Sequence, residues 1–295
     1  MTTEARKTMT EQPESVPAES GSGRVLVLLD GSRLSLAALE AAADIAALRG
    51  HEVLGVFVEE VNLLRSSGFD FAREIGASSG ATRPLDSAML EMRMRALAEQ
   101  ARRSLQRAVA RRGLRQALKL CRGSVVEEVL RLAGPEDLVV MGRVGWSAMP
   151  GSRLGSTARG LIRQAPGDVL LWAEIQRRPG YGVVVLLNDD QGANHRALTV
   201  GIEQARRHHQ PLTVLVRSHG EGGQEVVRAI EEQLIARGAG ARVRLIPRAS
   251  AAEVARLLRR ERPAELVVSR QCRVFDEQGA DQLLVELNLP VTVTP

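Results

Sequence analysis

Aromatic side chains are scarce in this chain: four Phe, two Trp and one Tyr in 295 residues. The cores must therefore be built from Val, Leu, Ile and Ala, and the stacking platforms on which single-stranded nucleic acids rest are missing. Cysteine is nearly absent too, with only Cys121 and Cys272. They form no C-x-x-C pair, so neither a disulfide framework nor a thiolate metal site is indicated. Lysine is reduced to Lys7 and Lys119, and Arg carries the basic character. The Lys that phosphoryl-transfer enzymes usually rely on is thereby removed. No apolar run approaches the roughly 20 residues that span a bilayer, which argues against membrane insertion. The opening stretch "MTTEARKTMTEQPESVPAESGSG" has no apolar segment of the kind a secretory signal needs. Its Pro, Ser, Glu and Gly content predicts a disordered tail over 1–22 and, by default, a cytoplasmic protein.

What is present repeats. "RVLVLLDGS" from Arg24 and "GVVVLLNDD" from Gly182 are apolar runs closed by turn residues, and each precedes an amphipathic helical pattern. "EVLGVFV" then matches "PLTVLVR", "GSVVEEVLRLAGPEDLVVMGR" matches "ASAAEVARLLRRERPAELVVSRQ", and "DVLLW" matches "PVTVTP". The landmarks recur with a shift of about 158 residues early and about 128 late, so the first copy carries an insertion of roughly 30 residues. That insertion, at about 60–88, includes Phe69 and Phe71, and a helix is expected after it from about Ser87 to Arg112. Strands alternating with helices imply α/β units with parallel sheets. The expected organisation is a tail, a domain over 23–175 and a related domain over 180–295. Each is Rossmann-like, an open five-stranded, mostly parallel sheet with helices on both faces.

One loop stands out. In "MGRVGWSAMPGSRLGSTARG", Gly142, Gly145, Gly155 and Ser156 give G-x-x-G, nine residues, then G-S, between a strand and a helix. Open α/β sheets take ligands at the carboxyl ends of their strands. Glycine there lets main-chain N–H groups approach an anion, and Gly155, Ser156 and Thr157 would supply N–H groups at a helix N-terminus. This describes a phosphate cradle, although glycines also serve tight turns. Phosphate contacts alone do not hold a nucleotide against the cost of association, so a base pocket is required as well. Asp30, in "LLDGS", ends the first strand at the same edge, either as a simple Asp-Gly turn or as a carboxylate for a ribose or a metal ion.

These residues resemble the universal stress proteins, and the two-copy plan is similar to their tandem members. The resemblance implies an adenine-nucleotide α-hydrolase-like fold that binds ATP, with or without Mg2+. It assigns Gly142, Gly145, Gly155 and Ser156 to the phosphates, with Thr157 adding an amide. Asp30 falls near ribose and metal, and Phe57, at or near the adenine, contacts it through its backbone. It also implies that the two domains pair within the chain through their last strands. A Pro usual before the last strand is replaced by Asp168. The second copy departs from the pattern: Asn188 aligns with Asp30, Arg270 with Gly142 and Arg273 with Gly145. Arg side chains at those places would fill the phosphate space, which leaves one site per chain; alternatively the two arginines bind an anion themselves.

Three functions follow as expectations. The first is a non-catalytic, ATP-binding stress-response module with an unknown protein partner, further homodimerisation being left open. The second is a slow ATPase or adenylating enzyme, against which stand the missing Walker Lys and the absence of an S-G-G-x-D-S loop. The third is a nucleic-acid-binding module, suggested by "RRSLQRAVARRGLR" and "ARLLRRER", which read more simply as solvated helix faces. No catalytic or metal-ligating residue is assigned, and the five His are scattered or adjacent rather than on one helix face.

Overall fold

The computed structural model describes residues 23–76, 79–143, 154–173, 182–189, 191–218, 220, 222–272, 274 and 287–295, without the side chains of 191 and 193. The expected tail at 1–22, the linker up to Tyr181, Gly145 and Arg273 lie outside the described residues.

The N-terminal half runs β1 (Val25–Leu28), α1 (Arg33–Arg49), β2 (Val53–Glu60), α2 (Val61–Ser66), β3 (Arg73–Ile75), β4 (Thr82–Pro84), α3 (Ser87–Ala110), β5 (Gln116–Gly123), α4 (Val125–Leu132), β6 (Leu138–Gly142), α5 (Ser156–Gln164) and β7 (Asp168–Trp172). The C-terminal half runs β8 (Val183–Leu187), α6 (Gln191–Arg207), β9 (Leu212–Ser218), α7 (Gly223–Ala236), β10 (Ala241–Pro247), α8 (Ala251–Glu261), β11 (Glu265–Ser269), a 3-10 turn (Arg270–Cys272) and β12 (Val291–Thr294).

Ten strands form one sheet in the order β10-β9-β8-β11-β12-β7-β6-β1-β2-β5. Every neighbouring pair is parallel except β12 and β7, which run antiparallel with Leu170 opposite Thr292. Read outward from that seam, the two halves have the same strand order. The two five-stranded sheets thus join into a single sheet through their last strands, as the resemblance implies. The inner strands are apolar runs because both faces are covered. One face carries a core shared by both halves, with Val129, Leu161, Val254 and Leu258 packed on Leu26, Val139, Leu186 and Val268. The other face has a separate core in each half, under α1 and α3 and under α6 and α7. The edge strands β5 and β10 are half-exposed and carry Lys119 and Arg122, and Arg242 and Arg244, charges that discourage edge-to-edge pairing.

Helix starts follow local capping chemistry. The hydroxyl of Ser32 accepts the Ser35 N–H at 3.0 Å to open α1, and Gly50, at φ 68°, closes it in the left-handed conformation. Asp86 caps α3 through Met89 N–H at 2.9 Å.

The amino ends of β1 and β6 are clipped by Asp137, whose carboxylate accepts from Arg24 N at 2.7 Å, Arg24 Nη2 at 2.8 Å and Gly134 N at 2.8 Å. Burial alone would raise this carboxyl, but the hydrogen bonds from Arg24 and Gly134 outweigh it and hold the pKa below its ordinary 3.8. A depressed folded pKa contributes stability that is complete above 3.8 and is lost as pH falls through the folded value. Denaturant midpoints measured from pH 6 down to about 2 are expected to fall less steeply for Asp137→Asn than for wild type in that acidic window. Parallel curves would remove the clip from the account.

Candidate functional site: the crevice at the carboxyl ends of β1, β2 and β6

Counting only the sheet strands of the N-terminal half, the order is third, second, first, fourth, fifth, so the direction of winding reverses between β1 and β6. Helices diverge at that switch point and leave a crevice outside the strand ends. A cavity of about 460 Å³ lies there.

β1 passes into the crevice through Leu29, whose N–H donates to Val56 O at 2.9 Å. Asp30 Oδ1 then accepts Ser32 N–H at 2.9 Å, a turn that sets the carboxylate at the strand end. Gly31 between them has φ +79°, and a Cβ there would lie 2.4 Å from Leu97 Cδ2. Its glycine is thus required by the fold. On the far side, β6 ends at Gly142 and α5 begins after Gly155. Gly155 is the N-cap, at φ −62° and ψ 155°, and no side chain caps the helix. Arg159 N–H donates to Gly155 O at 3.1 Å as the first internal bond. The N–H groups of Ser156 and Thr157 therefore precede the helix's own hydrogen bonding and stand at its positive end.

The structure brings Asp30, Phe57, Gly142, Gly155, Ser156 and Thr157 to this one cavity. Phe57 needs a refinement. Val56 offers its carbonyl to β1, so strand alternation turns the main-chain groups of Phe57 toward β5 and those of Val58 toward the crevice. The Phe57 side chain is buried in the core. Val58, also on the cavity wall, is the strand residue whose peptide groups face the crevice.

The C-terminal half has a different interior at the matching place. Asn188 stands where Asp30 does, and its Nδ2 donates to Gln271 O at 2.9 Å. Among the described residues, the side chain buried there is Arg217, at the position of Val58. It is 3% exposed and donates through Nε to Ala249 O at 2.6 Å and through Nη1 to Cys272 O at 3.3 Å. Sequence reasoning missed it, although an Arg closing the apolar run "PLTVLVR" was a visible signal.

The expected alignment of Arg270 with Gly142 is also corrected. Strand pairing sets Val25 beside Leu138 and the equivalent Val183 beside Glu265. Gly142 therefore corresponds to Ser269, and Arg270 to Arg143. The core agrees: Val139 and Met141 share a cluster with Leu266 and Val268. Matching "LVV" to "LVV" is one residue out, and a one-residue slip exchanges the faces of a strand. Arg270 does not fill the hollow. Its Nη2 crosses the seam to Ala165 O at 2.7 Å, while Arg143 Nη2 crosses the other way to Asn288 Oδ1 at 2.9 Å. Burial pushes both guanidinium pKa values down.

A parallel α/β sheet with a glycine-bordered crevice at its switch point defines a Rossmann-like ligand-binding architecture. The chain belongs to the universal stress protein family, whose sequence profile matches residues 21–172. Solved structures agree on the fold. A universal stress protein from Archaeoglobus fulgidus DSM 4304 superposes with a TM-score of 0.69 at 14% identity, covering 92% of this chain and 96% of that one. A putative universal stress protein from Pseudomonas aeruginosa UCBPP-PA14 gives 0.54 at 17% identity, covering 92% of each. No curated protein sequence matches the chain. Among the described residues no helix is long and apolar enough to cross a membrane.

Proposed function

We propose that this chain is an ATP-binding regulatory module of the stress response, cytoplasmic and without turnover of its own, holding one nucleotide per chain in the N-terminal half. The observation that carries this reading is Gly155. Its backbone conformation suits any residue, and among the described residues the nearest atom to an added Cβ would be Arg143 O at 3.9 Å. The fold does not need glycine there, whereas an anion approaching bare amides does. Gly31, by contrast, is explained by packing alone.

In this reading the Ser156 and Thr157 amides take phosphate oxygens, Gly142 and Gly145 keep the facing loop bare, and Asp30 faces the ribose. Any Mg2+ would arrive on the triphosphate, near that same carboxylate. The base lies against the β2 end, where Val58 offers a peptide edge. In the C-terminal half the Arg217 guanidinium takes the corresponding volume, which supports a single site. The test is mass spectrometry of nucleotide retained by gently purified protein. Wild type is expected to carry an adenine nucleotide and Gly142→Val to carry none; equal content in both would refute the site.

A further inference from the structure

The wall of the crevice facing solvent is built by the insertion and the helix after it. α3 crosses the end of β1, where Leu97 packs on Gly31 so closely that no Cβ fits. Arg93 lies one helical turn before Leu97, about 6 Å along the axis, and lines the same cavity as Asp30 and Gly155. The β3–β4 hairpin presents Glu74 beside it, also on the cavity wall. Glu74 Oε2 accepts from Arg93 Nη1 at 2.7 Å, and its other oxygen pairs with Arg83. The two guanidinium groups hold the Glu74 carboxyl below its usual range, the Arg93 hydrogen bond contributing most.

Charge makes this arrangement informative. A triphosphate brings several negative charges, and main-chain amides supply only partial positive ones. No lysine lies in the described part of the N-terminal half outside Lys119 on the β5 edge. Three arginines line the cavity. Arg143 reaches Asn288 across the seam, and Arg73 donates to the carbonyls of Asp70 and Ala72 at 3.3 and 3.5 Å. Arg93 gives Nη1 to Glu74 and has further N–H donors in its planar fork. Glu74 is shared by two arginines, so Arg93, Arg83 and Glu74 together keep one positive charge in excess, beside a cavity that Asp30 and Glu60 also line.

Resting on the nucleotide reading above, we infer that Arg93 is a phosphate-binding side chain of the site, with Glu74 of the inserted hairpin as its positioning residue. The inserted hairpin then orients a cation of α3 at a cradle otherwise made of backbone, and nucleotides with more phosphate charge gain most from it.

Calorimetric titration of the full chain with ATP and with adenosine tests this. Arg93→Met is expected to weaken ATP by about tenfold or more, the scale of one charge-assisted hydrogen bond, while adenosine changes by less than about twofold. Arg93→Lys keeps the charge and is expected to restore most of the ATP affinity. Glu74→Gln is expected to fall between wild type and Arg93→Met for ATP and to leave adenosine unchanged. Equal losses for both ligands would make Arg93 merely structural and overturn the inference, as would an Arg93→Met protein that binds ATP like wild type. Wild type failing to bind either ligand would instead bring down the nucleotide reading, and this one with it.

Discussion

Gly155→Val is expected to weaken ATP binding on the order of a hundredfold or more while leaving the thermal midpoint nearly where it was. The branched side chain enters the cavity at the first turn of α5 and holds a phosphate away from the Ser156 and Thr157 amides. Losing two charge-assisted hydrogen bonds, at about 1.5–3 kcal/mol each, accounts for that size. Stability suffers little because φ −62° and ψ 155° are ordinary for valine and, among the described residues, Arg143 O is the nearest obstacle at 3.9 Å. The poorer N-cap costs about 1 kcal/mol or less. Gly31→Val is the control with the opposite outcome. A valine at φ +79° beside Leu97 strains the backbone and clashes, so that protein is expected to melt early. Calorimetry and melting curves on both variants separate a glycine kept for a ligand from one kept for the fold. A Gly155→Val protein that binds ATP normally would end the cradle reading.

At the seam, Arg196→Leu is expected to cost about 3–5 kcal/mol of unfolding free energy, the scale for leaving a buried charge without its partner. Asp168, on β7, is 1% exposed and pairs with Arg196 of α6 through Nη2 at 2.8 Å and Nε at 3.2 Å. The hydrogen bond that Arg196 donates to Asp168 raises the arginine's pKa. The pair is asymmetric: the Arg196 side chain is 42% exposed and can turn to water, whereas the carboxylate cannot. Asp168→Asn is therefore expected to cost less than Arg196→Leu. The double variant Asp168→Val with Arg196→Leu is expected to recover most of the loss, since an apolar pair replaces a buried ionic one at little cost. Denaturant midpoints for wild type, Asp168→Val, Arg196→Leu and the double variant provide the cycle. Equal destabilisation by both single changes would show that solvent reaches Asp168 after all.

Much of this was legible in the residues. The apolar runs at Val25, Val183 and Leu212 are strands because parallel strands buried on both faces leave no room for polar alternation. The glycine spacing after Leu138–Gly142 pointed to the crevice for a chemical reason, and six of the seven residues chosen there line one cavity. Other features depend on partners distant in sequence. Asp168 stands where a Pro is usual before the last strand, and it is the acid of a pair whose base lies in the other half. The register of β11 could not be taken from matching letters, because Glu265 occupies the buried first position that Leu138 holds in β6. Arg217 escaped because an Arg ending a strand usually snorkels to water, and here the Ala249 and Cys272 carbonyls take it inside.

The direct measurement is a count of nucleotides retained per chain, made on wild type by mass spectrometry against protein concentration. An open crevice in one half and an arginine-filled one in the other give a single adenine nucleotide for each chain. Two per chain would show that Arg217 does not close the second hollow, and none would show that the amides of α5 serve no ligand.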